Sequence, residues 1–450
     1  MFKKFFICFI TASFVFINAV AASSTLNAPE VVAQTAILID QKDGKILFTK
    51  NEHERIFPAS TTKILTALVA MEYLEMDALY EVGREINDIP LDSSKAGHKV
   101  GESILGINLI RGLIIPSGNE TACVVALQAA KIASGNPDMN YAQAEQYFSE
   151  LMNNKAKGLG ATGTHFINPH GYHDDGHYTT AYDMGLISKA ALDDPVIREI
   201  IKEKTFAGNG AGDKNAEGLL TQEYVWNSHN LLLNSDEYSY PYANGIKTGF
   251  TNEAGDSVAA SAEKDGKLFI AVIFNSEEPN RWIDAKNLFE FGFNNYNYET
   301  LVNKSDVVTS VALDKPLLGG PQDLNLLSSE GFAALLSGKE KGQIEVEVTL
   351  DPEYLEGGTD LKTPVEQGTE VGKAVYKLGG EELFSTGLVT EKEAARRTIM
   401  TDINYYLNMV KENAFTLKAV PFWAGGAVLI SLIVFIISKI KKGRRRNGYI

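Results

Sequence analysis

Cysteine is almost missing from this chain, which holds only Cys8 and Cys123 among its 450 residues. Cys8 lies inside an apolar N-terminal run and lacks the small residues that precede a lipid-modified cysteine. Removal of that run would leave Cys123 alone, within an apolar helical segment typical of a core. An internal disulfide is therefore excluded, and the core must be stable without a covalent cross-link.

Positive charge is also scarce, with 42 Lys and Arg against 57 Asp and Glu and a net charge of −15. A polyanion would be repelled, so a nucleic-acid partner is not expected. The hydrophobic fraction of 44% and charged fraction of 22% are those of a globular protein. The length favours two folded units with additional segments.

Long apolar runs occur only at the two ends of the chain. Residues 1–21 carry Lys3 and Lys4, then an uncharged run from Phe5 to Ile17, then the small-residue pattern Ala19-Val20-Ala21. This order predicts a cleaved signal peptide and an exported protein. An uncleaved N-terminal anchor is the alternative interpretation.

The C-terminal run predicts a membrane anchor. Residues 420–438 contain no charged side chain, and at about 1.5 Å per residue a helix of this length just covers a bilayer's hydrocarbon core. A cluster of Lys and Arg follows in residues 439–446. Such clusters stay in the cytoplasm, so we expect a transmembrane helix at 420–438, a basic cytoplasmic tail at 439–450 and an extracytoplasmic body.

The body is predicted to contain an α+β domain at residues 30–297. Residues 36–50 form a hairpin pattern around Lys42-Asp43-Gly44, residues 60–74 a helix, and residues 245–251, 257–262 and 267–275 strands. The early and late strands are expected to share one mostly antiparallel sheet flanked by helices. Residues 300–395 predict a small β-rich domain, and residues 396–418 a helical stalk.

Three short motifs carry candidate chemistry, although each alone is weak. Ser60-Thr61-Thr62-Lys63 places a lysine one helical turn after a serine, within reach of the hydroxyl. Ser117-Gly118-Asn119 supplies a hydroxyl and a carboxamide in a loop. Lys247-Thr248-Gly249 lies in a strand, where the cation suits an anionic ligand and the glycine admits a close backbone. Helix caps and an ordinary surface strand are the alternative interpretations.

The order of these three motifs along the chain is more specific than any one motif alone. An S-x-x-K, S-x-N and K-T-G series is shared by penicillin-binding proteins and serine β-lactamases. The segments FPASTTKILTAL, IIPSGNETACVVA, HFINPHGYHDDGHYTTAYDM and NGIKTGFTNEAG resemble the low-molecular-mass D-alanyl-D-alanine carboxypeptidases. The resemblance extends over nearly all of residues 30–395 and implies a penicillin-binding transpeptidase-like domain followed by a β domain. Gly118 replaces the Asp of the β-lactamase motif, and a true span replaces the amphipathic end of many relatives.

The resemblance implies an acyl-enzyme route that needs no cofactor. Ser60 is the expected nucleophile, and Lys63 is its base once burial and Lys247 have lowered the pKa of the Lys63 amine. Ser117 is expected to relay a proton to the leaving D-alanine. Asn119 is expected to hold Lys63 and the substrate amide.

Substrate recognition is assigned by the same resemblance to the K-T-G strand. Lys247 and Thr248 are expected to bind the terminal carboxylate, Gly249 to admit the substrate backbone, and the N–H groups of Ser60 and Phe250 to form the oxyanion hole. The implied partners are the peptidoglycan stem peptide and β-lactam antibiotics, which mimic it.

Three other functions are weighed against this one. A class A β-lactamase shares the motifs, but the chain lacks that class's glutamate segment and carries an extra β domain. A metallopeptidase could use the histidine-rich loop at 165–177, but its spacing is not H-E-x-x-H, and no metal is expected. A β-lactam sensor normally has a cytoplasmic signalling domain, whereas few residues follow the predicted span.

Outside these motifs, Asp183 and Arg281 form a candidate ion pair that would support the fold.

Overall fold

The computed structural model describes residues 27–214, 217–413 and 420–446. The predicted signal peptide at residues 1–21 lies outside these residues. The described chain separates into two compact units between Tyr298 and Glu299, and each is described by itself below.

The first unit is organised around a five-stranded antiparallel sheet in the order β2-β1-β9-β8-β7. Its strands are β1 (Thr35–Asp40), β2 (Ile46–Lys50), β7 (Ala243–Thr251), β8 (Gly255–Lys264) and β9 (Lys267–Ser276). The register pairs Ala36 of β1 with Ile273 of β9. This pairing confirms that the early and late strands share one sheet, and it leaves β7 at an edge.

Helices pack against this sheet and make the unit α+β, as predicted. They are α1 (Lys63–Tyr73), α2 (Gly106–Ile114), α3 (Asn119–Ser134), α4 (Tyr141–Gly158), α5 (Ala181–Asp193), α6 (Pro195–Ile200), α7 (Leu231–Asn234) and α8 (Asn280–Asn295). The central helix α1 buries Ile64, Leu65 and Val69 in the core. A residue run with no internal Gly or Pro and apolar side chains on all sides suits a helix surrounded by others.

Two features of this unit differ from the sequence prediction. The helix predicted to begin at Ser60 starts instead with a 3₁₀ turn, Ala59–Thr62, and becomes α-helical at Lys63. Residues 75–235, whose sequence predicts mostly helical stretches broken by Gly, Asn and Pro loops, also contain two short two-stranded antiparallel sheets. These are β3 (Leu79–Glu81) with β4 (Ser103–Leu105), and β5 (Thr205–Asn209) with β6 (Glu223–Asn227).

The second unit is β-rich, which confirms the prediction for this part of the chain. Its main sheet has the order β11-β12-β18-β17-β14 around buried Leu326, Val371 and Leu388. The elements after α8 are β10 (Tyr296–Val302), β11 (Val307–Ala312), β12 (Asp323–Ser328), β13 (Phe332–Ser337), α9 (Gly338–Lys341), β14 (Ile344–Leu350), β15 (Leu355–Glu356), β16 (Asp360–Leu361), β17 (Glu370–Leu378) and β18 (Glu381–Thr390).

Two helices follow the β-rich region, α10 (Ile399–Asn413) and α11 (Val420–Arg446). Helix α10 falls within the predicted stalk at 396–418, and α11 includes the run predicted to span a membrane. In the part of the chain that is described, no helix combines the length and the apolar character needed to cross a bilayer. The predicted transmembrane helix at 420–438 is therefore not confirmed.

Candidate active site

Ser60 and Lys63 face each other across one tight turn. The turn Ala59–Thr62 runs directly into α1, so the two side chains leave the backbone on the same side. Lys63 Nζ lies 2.9 Å from Ser60 Oγ. Ala59 holds a left-handed φ of 47° just before the serine, a conformation that costs energy in a non-glycine residue and that surrounding contacts must maintain.

Lys63 Nζ lies within hydrogen-bonding distance of three oxygens. Its Nζ donates to Asn119 Oδ1 at 2.6 Å and to the backbone oxygen of His170 at 2.8 Å. Both oxygens can only accept, and Ser60 Oγ is the third oxygen within reach of the amine. An ammonium would donate to all three oxygens, whereas a neutral amine would donate to two of them and keep its lone pair for the hydroxyl proton of Ser60, as a general base requires.

The electrostatic surroundings favour the neutral form of the Lys63 amine. Lys63 is fully buried, and burial lowers the pKa of its amine well below the ordinary lysine value. Repulsion from Lys247 lowers that pKa further, whereas Glu120 and Cys123 oppose the shift. Desolvation is the largest of these effects because an ammonium loses its hydration when buried.

The Lys247-Thr248-Gly249 strand lies directly against the nucleophile's turn. A β-carbon built on Gly249 would stand 3.0 Å from the oxygen of Pro58 and 3.3 Å from the backbone nitrogen of Ser60. Gly249 thus allows β7 to approach the turn closely. Lys247 is buried and donates to the backbone oxygen of Thr248 at 2.9 Å, while the side chain of Phe250 is 59% exposed.

Arg281 supplies a second cation behind this strand. Its guanidinium contacts Asp256 at 3.0 Å and Glu278 at 2.9 Å, and it donates to the backbone oxygen of Gly249 at 3.3 Å. The candidate pair of Arg281 with Asp183 is therefore wrong. Burial first, and then repulsion from Arg281, lower the pKa of Lys247 to about 7.

The second motif leads into α3: Ser117 and Gly118 precede the helix, and Asn119 is its first residue. Ser117 is buried and has a left-handed φ of 61°. The N–H of Gly118 donates to Gly112 at 2.9 Å, and the N–H of Asn119 donates to Ser94 at 2.9 Å. The start of α3 is thus fixed on two sides, which orients Asn119 toward Lys63.

A segment at residues 94–102, here called the strap, is hydrogen-bonded to the first turn of α3. Gly97 N–H donates to Glu120 Oε1 at 2.7 Å, and His98 Nε2 lies 2.9 Å from Thr121 Oγ1. His98 Nδ1 lies 2.7 Å from Glu102, whose carboxylate also accepts from Tyr224. Sequence reasoning missed the strap. The one feature of the sequence that could have indicated it is a His and a Glu four residues apart, His98 and Glu102.

The histidine-rich loop at residues 165–177 borders the site. Its His170 backbone oxygen accepts from Lys63, and the ring of His177 contacts the nucleophile's turn. His177 Nε2 lies 2.8 Å from Thr62 Oγ1, and His177 Nδ1 accepts from the N–H of Ile167 at 3.1 Å. Burial is the main cause that lowers the pKa of His170 and of His177 to about 3, so both rings are neutral. Within residues 27–214, 217–413 and 420–446, no three His, Cys, Asp or Glu side chains form a group able to hold a metal ion.

The predicted residues differ in how closely the structure brings them together. Ser60, Lys63 and Asn119 are joined by direct hydrogen bonds. Lys247 lies close enough to shift the pKa of Lys63. His229 was not predicted. Burial, and then Coulomb interactions with Lys247 and Lys63, lower its pKa, which places it beside the same group.

Comparison with known proteins identifies the relatives of both units. The family described as D-alanyl-D-alanine carboxypeptidase matches residues 22–278, and the family described as penicillin-binding protein 5, C-terminal domain, matches residues 296–396. The D-alanyl-D-alanine carboxypeptidase DacA of Escherichia coli is 31% identical over 86% of this chain and 90% of its own length. DacF of Bacillus subtilis is 28% identical over 82% and 87%. The crystal structure of penicillin-binding protein 5 from Haemophilus influenzae has a TM-score of 0.59 at 25% identity and covers 82% of this chain and 99% of that one.

Proposed function

The chain belongs to the D-alanyl-D-alanine carboxypeptidase family of penicillin-binding proteins, and on that premise we propose that it removes the terminal D-alanine from peptidoglycan stem peptides through an acyl-enzyme at Ser60. The observation that carries the proposal is the buried Lys63 amine, 2.9 Å from the Ser60 hydroxyl. A serine hydroxyl is a poor nucleophile at neutral pH unless a base accepts its proton.

In acylation, Ser60 Oγ attacks the carbonyl carbon of the penultimate D-alanine while Lys63 Nζ takes the hydroxyl proton. The C–N bond then breaks, and Lys63 returns its proton through Ser117 to the nitrogen of the leaving D-alanine. Asn119 holds the amine in place during both transfers. In deacylation, water attacks the ester carbonyl and Lys63 accepts a proton from that water. Lys63 then gives this proton to Ser60 Oγ as the C–O bond of the ester breaks, which regenerates Ser60 and releases the shortened peptide.

Recognition of a free C-terminus follows from the charges on β7. Lys247 and Thr248 bind the terminal carboxylate, and Gly249 admits the substrate backbone beside the turn. The N–H groups of Ser60 and Phe250 stabilise the oxyanion. A donor of this kind contributes about 3 kcal/mol to transition-state stabilisation. β-Lactams, which mimic the two terminal D-alanines, acylate the same serine.

Export and membrane anchoring complete the proposal. Residues 1–21 have the order of a signal peptide, residues 420–438 carry no charge, and a basic cluster follows them. The catalytic unit then works outside the cytoplasm, where the stem peptides lie. To test this, the full chain and a chain ending at residue 413 are expressed with the native N-terminus. The full chain is expected in the membrane fraction and the shortened chain in the soluble exported fraction; equal fractionation would refute the anchor.

Labelling with a fluorescent penicillin, run alongside a D-alanine release assay, tests the catalytic assignment. Ser60→Ala and Lys63→Ala are expected to lose both signals, whereas Ser239→Ala, at an exposed serine elsewhere in the unit, retains both. D-Alanine release by Ser60→Ala would refute the nucleophile. Retention of both signals by Lys63→Ala would refute the base.

A further inference from the structure

The direction of a bound stem peptide is set by the roles proposed for β7, and the inference below depends on that proposed function. The terminal carboxylate lies at Lys247 and Thr248, and the scissile carbonyl lies at the N–H of Phe250. The part of the peptide that becomes the acyl group therefore continues past Thr251 toward the turn before β8. Because β7 is an edge strand, an extended peptide can run along it with its alternate side chains directed to either face.

A cavity of about 420 Å³ borders the turn between β7 and β8. One wall comes from the segment just before the nucleophile, which includes Phe57, and another comes from the turn that ends β7, which includes Glu253 and Ala254. Arg55, Asp175 and Tyr178 also line it. The cavity thus lies between the segment that precedes the nucleophile and the turn that follows β7.

The charges in the cavity have both signs. The guanidinium of Arg55 stacks over the ring of Tyr178, 4.4 Å from its centroid. In the part of the chain that is described, neither Arg55 nor Glu253 takes part in a salt bridge. The Asp175 carboxylate is 99% exposed and lies 3.4 Å from His173 Nε2. One held cation and two accessible carboxylates complement a ligand group that carries an ammonium and a carboxylate together.

We infer that this cavity is a specificity subsite for the third residue of the stem peptide, and that it selects a side chain ending in both an ammonium and a carboxylate, as diaminopimelate does. A lysine-type side chain offers an ammonium alone. It satisfies Glu253 or Asp175 but leaves the Arg55 guanidinium without an anion. The aromatic rings of Phe57 and Tyr178 suit the methylene stem that the two kinds of residue share.

Two pentapeptides that differ only at the third residue, diaminopimelate or lysine, provide the test. The full chain is expected to have a kcat/KM for D-alanine release about tenfold higher for the diaminopimelate peptide, the usual scale for one extra polar contact. Arg55→Gln is expected to bring that ratio close to one. Glu253→Gln is expected to lower kcat/KM for both peptides, because both carry the ammonium. Arg198→Gln, which removes an arginine paired with Glu263, is expected to keep the wild-type ratio.

The outcomes separate this inference from the proposed function. D-Alanine release from both peptides at equal kcat/KM, or an unchanged ratio in Arg55→Gln, would overturn the subsite and leave the carboxypeptidase activity standing. Failure of the wild-type chain to release D-alanine from either peptide and to be acylated by a penicillin would overturn the proposed function itself.

Discussion

Gly171 rests against the backbone of Ala59 so closely that a β-carbon on Gly171 would lie 1.8 Å from the Ala59 carbonyl oxygen. This contact joins the histidine-rich loop to the turn that carries the nucleophile. It also fixes the neighbouring backbone oxygen of His170, which accepts from Lys63. The N–H of Gly171 donates to Asn168 Oδ1 at 2.7 Å, so the loop is held from its other side as well.

Gly171→Ala is expected to destabilise the catalytic unit by about 3 kcal/mol, from left-handed strain and overpacking together. Gly44→Ala is the control, because Gly44 also has a positive φ but its β-carbon would come no closer than 3.9 Å to a neighbour. That variant should lose only about 1 kcal/mol. Chemical denaturation measures both, and equal losses would show that the contact with Ala59 is unimportant.

Asn119→Asp tests the charge state of Lys63 without changing the size of its neighbour. A carboxylate 2.6 Å from the amine would favour the ammonium and raise the pKa of Lys63 by roughly 1–3 units. The acid limb of the kcat/KM profile should therefore move to higher pH, and activity at neutral pH should fall. An acid limb at the wild-type position in Asn119→Asp would exclude Lys63 as the base.

Lys247 should set the alkaline limb of the same profile. Its pKa is lowered to about 7, so the cation is present below this pH and is lost as the pH rises through it. Carboxylate binding by the free enzyme, and with it kcat/KM, is expected to decline above about pH 7. Lys247→Arg keeps its charge throughout this range and should move the alkaline limb upward by more than one unit, even if its absolute rate is lower.

Glu102→Gln tests the strap. The Glu102 carboxylate is buried, yet hydrogen bonds from His98, Tyr224 and Gln222 outweigh that burial and lower its pKa. Loss of the charge is expected to reduce the unfolding free energy of the catalytic unit by about 3 kcal/mol. Glu347→Gln, at an exposed pair with Lys377 in the β-rich unit, should have a much smaller effect, because solvent screens an exposed ion pair. A thermal scan that finds similar losses would contradict a structural role for the strap.

Much of the fold could be predicted because it depends on local patterns. The strands β1, β2, β7, β8 and β9 were predicted from alternating or continuous apolar runs with turn residues between them. The two-stranded sheets β3–β4 and β5–β6 were missed because their strands are too short to show a period. The 3₁₀ start of α1 was also missed, since hydrophobic periodicity does not distinguish 3₁₀ from α-helical hydrogen bonding over a single turn.

In the candidate site, too, the features that depend on local spacing could be predicted and the others could not. The sequence by itself determined that Ser60 and Lys63 share a turn, because three residues of helical backbone bring their side chains together in any fold. It also determined the order of the motifs and the family to which they belong. Only the tertiary structure decided that burial lowers the pKa of Lys63, that His170 offers its backbone oxygen, and that Arg281 lies behind Lys247. Desolvation and Coulomb interactions act through space, so the protonation state of a lysine depends on residues that spacing along the chain does not relate to it.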